Sequence, residues 1–194
     1  LKNLGLILIS ATLINNILLI EQIGICPILH MTAALRNALG IGLTLTMVMT
    51  LSAGVNWLIY HLVLVPFGFL FLKNLIFVLT IIMVSRIVYI AAKKTGVIQG
   101  ILPASGEILL YANCLLMAAT LLVIRNNYNF IEALVYALGC GLGFILVALI
   151  FTPVRERLDL APISLSLRGM PIYLITLSLM ALALLGGAGF LGLE

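Results

Sequence analysis

The sequence predicts an all-α integral membrane protein: six transmembrane helices in two inverted three-helix repeats, the first and fourth helices interrupted. Three observations predict it. Apolar residues make up 64% of the 194 and charged residues 8%, a balance that no water-soluble domain of this size needs. Six apolar runs are long enough to cross a hydrocarbon layer of ~30 Å, which takes ~20 residues. A short glycine motif recurs 99 positions apart, with its flanking landmarks in the same order.

The runs cover positions 4–35, 38–63, 67–92, 97–124, 131–151 and 171–191. The first reads as a span and not as a cleaved leader, because no basic region precedes it and no small-residue cleavage site closes a short apolar core. Between the runs, Arg36, Lys93, Lys94, Arg155, Arg157 and Arg168 fall on one face of a six-span plan, against Lys2, Lys73 and Arg125 on the other. The excess of basic residues marks the cytoplasmic face. Both termini are therefore expected outside a bacterial or archaeal cytoplasmic membrane. Arg86 lies within a span, where a long side chain can snorkel toward the interface. No linker or soluble insertion interrupts the plan, so residues 1–194 read as one membrane domain.

The recurring motif is ALGIGL at 38–43 and ALGCGL at 137–142. An Arg-Asn pair precedes each copy, Arg36-Asn37 and Arg125-Asn126, and a cysteine precedes each arginine, Cys26 and Cys114. The halves run from about 1 to 95 and from 96 to 194. Three spans per half invert the second copy relative to the first, an architecture that gathers functional sites near the midplane at interrupted helices. Small-residue motifs also arise at ordinary helix contacts; the agreement of three landmarks argues for a repeat.

The stretch NNILLIEQIGICPIL, positions 15–29, spoils the first span with two Asn, a Glu, a Gln and a Gly-x-Cys-Pro turn. At ~1.5 Å per helical residue, the ten or eleven residues from each cysteine to its exit arginine cover about half the membrane. Both cysteines then lie near the midplane. The segments leading to them are longer than a straight half-crossing needs, so they are expected to break, with Gly24 to Pro27 and Pro103 to Gly106 as breakers. Irregular backbone at that depth must be buried in protein or line a cavity. Two midplane thiols leave three roles open: a disulfide, two small buried hydrophobes, or metal ligation. Iron-sulfur clusters normally take four cysteines and this chain has three in all, so a cluster here would be shared with another subunit. Cys140 fits the buried-hydrophobe role.

Glu21 and Glu107 precede the two cysteines and also fall within apolar runs, where ionisable groups are costly and functional by default. They are candidates for an ion or proton path; the bland reading puts both at a polar interface. His30 and His61 stand near span ends and read as interfacial residues. No phosphate-binding glycine loop appears, and the VRERL segment at 154–158 reads as a topology signal and partner-docking loop rather than as a nucleic-acid patch.

Taken together, LINNILLIEQIGICPIL, YANCLL, IRNNYNFIEALVYALGCGLGF, VRERL and LRGMPIYLITLSLMALALLGGAGF resemble the A-type membrane subunits of Rnf electron-transport complexes and the related D and E subunits of the sodium-translocating NADH:quinone reductase. The likeness runs from about residue 15 to 190. It implies a [2Fe-2S] cluster held between this chain and a homologous membrane partner of opposite topology, with Cys26 and Cys114 as this chain's half of the ligands. It further implies an ion-translocating ferredoxin:NAD+ or NADH:quinone oxidoreductase, with other subunits carrying flavin and iron-sulfur centres and no complete active site in this chain. The sequence departs from the family where ASGEILLYANC stands before Cys114, with Leu102-Pro103 displaced upstream. The rival class is a secondary transporter, in which Asn15, Asn16, Glu21 and Glu107 would bind substrate or ion and the thiols would be incidental.

Overall fold

The computed structural model describes residues 2–14, 23–24, 28, 35–68, 70–94, 114–161 and 169–190. Glu21, Cys26, His30, Glu107, the Asn15-Asn16 pair and the Pro103 to Gly106 run lie outside the described residues. All regular structure among the described residues is helical. Six helices organise it: α1, Lys2–Ile9; α2, Leu35–Ile59; α3, Lys73–Lys94; α4, Cys114–Arg125; α5, Phe130–Leu160; and α6, Met170–Phe190. Each falls in one of the six apolar runs. Among the described residues three segments, Leu39–Leu64, Lys73–Ala91 and Phe130–Leu160, are long and apolar enough to cross a membrane, and Cys114–Arg125 and Met170–Ala183 are shorter apolar helices.

Local chemistry sets the boundaries. α1 widens into a π-helical turn at Ser10–Ile14, and α2 does the same at Tyr60–Leu64, where the Val65 N–H reaches back to the Tyr60 carbonyl. Pro66 follows at once in the first turn of a short α-helical segment, Val65–Phe67, where its missing N–H costs nothing. Gly68, at φ +70°, then turns the chain, so the third span starts at Lys73 and not at 67. α4 ends in a Schellman motif. Asn127 sits in the left-handed region at φ +52°, its N–H donates to Ile124 O at 3.1 Å, and the Tyr128 N–H donates to Val123 O at 3.3 Å, which satisfies two carbonyls that the helix end would orphan. α5 opens on the reciprocal device, with the Asn129 N–H donating to the Glu132 carboxylate at 3.0 Å.

One expectation is corrected here. The VRERL segment is not a loop: α5 continues through Pro153 to Leu160. Its last turns are tied to α6, because the Tyr173 hydroxyl donates to the Asp159 carboxylate and the Arg155 guanidinium lies 4.7 Å over the Tyr173 ring. Phe151 meets the same ring edge-on. These contacts outweigh the tendency of proline to end a helix.

The centre of the fold is the antiparallel pair of α2 and α5. A Cβ placed on Gly42 would stand 2.7 Å from Ile145 Cγ1, and one on Gly141 would stand 2.4 Å from Thr46 Cγ2. Further along, Gly54 meets Leu134 and Phe130, and the Trp57 indole N–H donates to Tyr128 O at 2.9 Å. Numbers rise along one helix as they fall along the other. Positions 141 and 145 each lie 99 after 42 and 46, so the two glycine contacts are images of each other. Such reciprocity is the pattern two copies of one helix make when packed about a two-fold axis. Lipid tails are as apolar as leucine, so the helices are held by close packing, and glycine at these places lets the backbones approach.

On the opposite side of α5, Gly139 receives the first half of the chain. Its Cβ position lies 2.8 Å from Ala11 Cβ and 3.2 Å from Leu8 O, and the Thr12 hydroxyl lies 3.3 Å from Gly139 O while donating to Leu8 O at 2.7 Å. The Gly139-Cys140-Gly141 triplet thus serves two neighbours, α1 on one side and α2 on the other. Outward faces are apolar: Leu43, Met47, Leu51 and Leu58 on α2, and Leu75, Leu79, Met83 and Ile87 on α3, are all exposed. Recurring every three to four residues, they form stripes that only hydrocarbon or a partner protein can solvate.

Candidate functional site at the cysteine turn

The N-terminus of α4 is anchored by Leu115 and Leu116, both buried, while Cys114, its first residue, is exposed. Consecutive residues at a helix start face different directions, so two leucines in the core leave the thiol outward.

Against Leu115 packs the other breaker. Gly24 has φ +99°, a conformation that L side chains rarely adopt. A Cβ there would also strike Leu115 Cδ1 at 2.9 Å and Cβ at 3.1 Å. Both facts demand glycine. Ile23 packs against the core and Ile28 is 2% exposed, so the chain is fastened on either side of the Gly-x-Cys-Pro turn. The fold therefore brings the first-half breaker onto the residue next to Cys114. Cys26, Glu21 and Glu107 themselves lie outside the described residues.

The third cysteine is placed differently. Cys140 is 3% exposed within the core, and its counterpart 99 positions earlier, Ile41, is buried as well. A thiol and an isoleucine in equivalent seats act as small hydrophobes. His61 stacks on Trp57 with ring centroids 4.1 Å apart and its Nδ1 lies 3.3 Å from Trp57 O; Phe130 meets the same indole edge-on. This aromatic group at the end of α2 is of the kind that anchors spans at the interface.

Sequence reasoning missed one residue. Asn56, in α2, is fully buried, and neither its carboxamide oxygen nor its nitrogen has a hydrogen-bond partner among the described residues. The available signal was its place as a lone carboxamide one helical turn after Ser52 inside an apolar run.

Fold and site together define a multi-pass helical membrane protein in which Gly24, at the first-half breaker, packs against the residue after an exposed cysteine. The chain belongs to the family of Rnf-Nqr membrane subunits, whose pattern it matches over residues 4–193. It is 38% identical over 193 residues to the A-type subunit of the ion-translocating oxidoreductase complex of Syntrophotalea carbinolica, covering 97% of each chain. The corresponding A-type proteins of Edwardsiella ictaluri, 35% identical with 95% of each chain covered, and of Aromatoleum aromaticum, 36% identical with 95% of this chain and 96% of the relative covered, are similar to the same extent.

Proposed function

We propose that this protein is a membrane electron-transfer subunit of an ion-translocating oxidoreductase complex of the Rnf type. Cys26 and Cys114 supply half of the ligands of a [2Fe-2S] cluster, and a homologous partner of opposite topology supplies the rest. The observation that carries the reading is the contact of Gly24 with Leu115. Cys26 follows Gly24 by two residues and Cys114 directly precedes Leu115; two residues of chain reach no further than ~7 Å. The segment that carries Cys26 is thus fastened, two residues upstream of it, against the residue that follows Cys114.

The residues present fit such a group. Cys114 is exposed, as a ligand shared across subunits must be, and it stands in the first turn of α4, where the helix dipole favours a thiolate. The cluster, when bound, would supply one-electron transfer; the chain's own task would be to hold two thiolates, that of Cys114 at the start of α4 and that of Cys26. Cys140, sealed in the seam, takes no part. The reciprocal glycine contacts of α2 and α5 support the two inverted repeats, each about half of the single domain, in six spans of a bacterial inner membrane with both termini outside. The electron donor and acceptor pair, ferredoxin with NAD+ or NADH with quinone, and the flavin-bearing partners follow from the family resemblance.

The test is iron. Cys26→Ser and Cys114→Ser should each abolish the iron-sulfur EPR signal of the complex, because a hydroxyl is a poor replacement for a thiolate, whereas Cys140→Ser should retain it. Iron should appear only when a sister membrane protein of the complex is co-expressed. A full cluster on the isolated chain, or loss of signal in Cys140→Ser alone, would reject the shared site. A colourless, iron-free wild-type complex that still moves a solute would favour the transporter class.

A further inference from the structure

Arg86 is the anomaly of the outward surface. Ionisable side chains inside membrane spans are costly and nearly always face the bundle interior or a water-filled cavity. Arg86 instead is exposed on α3, within the segment Lys73–Ala91 that is apolar enough to cross a membrane. Along that one helix, at 1.5 Å per residue, its Cα lies about 20 Å from Lys73 and about 8 Å from Ala91. Cα–Cβ bonds tilt toward the N-terminus of a helix, here away from the nearer interface, so the guanidinium is not simply carried out to water.

The surface around it suits acyl chains. Arg86 aside, every exposed residue of α3 from Leu75 to Ile90 is Leu, Val, Ile or Met. Contacts between helices in membranes are enriched in small residues that let the backbones approach, as Gly42 and Gly141 do in the α2–α5 seam. The exposed face of α3 has none over that stretch, so it fits lipid rather than another helix. A groove of about 460 Å³ opens on it, lined among the described residues by Ile82, Met83, Arg86 and Ile87.

Charge selects the head of the occupant. The guanidinium carries five N–H donors in a planar fork that matches phosphate, so an interaction within the protein does not by itself exhaust it. Seven residues on, the 3.6-residue turn brings Lys93 back to the same face of α3, about 10 Å nearer the helix end, and Lys94 follows. A cation inside the span and a basic helix end above it flank one apolar groove.

We propose that this face of α3 binds one anionic phospholipid, with its acyl chains along Ile82, Met83 and Ile87 and its phosphate drawn inward to Arg86, on the side of the membrane where Lys93 and Lys94 stand. Phosphatidylethanolamine carries an ammonium beside its phosphate, which this basic surface repels; phosphatidylglycerol keeps its negative charge and is attracted. The site uses none of the cysteines and does not depend on a cluster.

The experiment takes the full chain, delipidated in a neutral detergent and titrated with phosphatidylglycerol or, separately, with phosphatidylethanolamine. Native mass spectrometry counts the lipids that stay bound, and the rise in melting temperature, followed by Trp57 fluorescence, gives the half-saturating concentration. Wild type should hold one phosphatidylglycerol and bind it about tenfold more tightly than phosphatidylethanolamine. Arg86→Leu and Arg86→Gln should each raise the half-saturating phosphatidylglycerol concentration about tenfold and remove the preference. Met83→Trp, which keeps the charge and fills the groove, should weaken both lipids, and Arg125→Gln, at the end of α4, should match wild type. Equal binding of the two lipids by wild type, or wild-type binding in the Arg86 variants or in Met83→Trp, would overturn the proposal. If Arg86→Leu does not fold, Arg86→Gln decides by the same criterion. Arg86 variants that bind lipid as wild type does but no longer join the other subunits would assign the guanidinium to a protein carboxylate instead, and so overturn the lipid site.

Discussion

The seam between α2 and α5 makes a quantitative prediction. Gly141→Ala places a methyl group 2.4 Å from Thr46 Cγ2, 2.6 Å from Oγ1 and 2.8 Å from Cβ. Thr46 cannot swing aside without loss, because its hydroxyl donates to Gly42 O at 2.8 Å within the buried interface. Overpacking of this kind costs roughly 1–3 kcal/mol, and three close contacts on a pinned side chain put Gly141→Ala near the upper end, about 3 kcal/mol. The image substitution Gly42→Ala meets only Ile145 Cγ1 at 2.7 Å, with the next atoms at 3.7 Å. A half-buried isoleucine can shift one branch, so about 1 kcal/mol is expected. Gly186, with nothing within 4 Å, is the baseline: Gly186→Ala should stabilise its helix by up to about 1 kcal/mol.

Thermal unfolding in detergent, followed by the fluorescence of Trp57, the chain's single tryptophan, reads this seam directly, since its indole bonds to Tyr128 across it. At roughly 2–4 °C per kcal/mol for a chain of this size, Gly141→Ala should melt about 6–12 °C below wild type and Gly42→Ala a few degrees below. Thr46→Ala in the Gly141→Ala background should recover part of the loss, because it deletes the two nearest atoms and leaves Cβ. The double-mutant cycle should show coupling of about 1–2 kcal/mol. If Gly141→Ala behaves like Gly186→Ala, or if the two losses simply add, the register of α2 on α5 is wrong.

The C-cap of α4 gives a second expectation: Asn127→Ala should destabilise by about 1 kcal/mol, since alanine resists the left-handed region, while Asn127→Gly should be neutral or slightly stabilising in the same melting assay. For the two carboxylates near the cysteines, Glu21→Gln or Glu107→Gln should lower ion transport while the iron-sulfur EPR signal stays, if either relays protons; unchanged transport in both would return them to the polar-interface role.

Much of the fold was legible because hydrocarbon is a strict solvent. A long apolar run with few charges admits little besides a helix, and among the described residues each of the six runs contains helix. What failed was legible only in three dimensions. The third span begins at Lys73 because the left-handed Gly68 redirects the chain soon after a π-helical turn. α5 outruns its apolar stretch because Tyr173, far along the chain, holds Asp159 and Arg155 in helical register. Charge alone marked VRERL as a loop, and tertiary contacts overrode it. Asn56 was invisible for a related reason: its meaning depends on being fully sealed, and sequence shows composition but not enclosure.

The repeated motif shows how far a sequence pattern can reach once packing is known. ALGIGL and ALGCGL look like a small-residue coincidence until the second glycine of each, Gly42 and Gly141, is seen to receive the residue four positions after its counterpart, Ile145 and Thr46. The two motifs thus share the register of their partners as well as their letters. The same correspondence sets Cys140 on Ile41, both buried, so the thiol that stands closest to the motif is the one that packing explains. The thiol that packing does not explain is Cys114, left exposed while Leu115 and Leu116 are buried. A protein that needed only a stable bundle would have placed alanine or leucine at these breaks; the left-handed Gly24 and the outward Cys114 are features a stable bundle does not require.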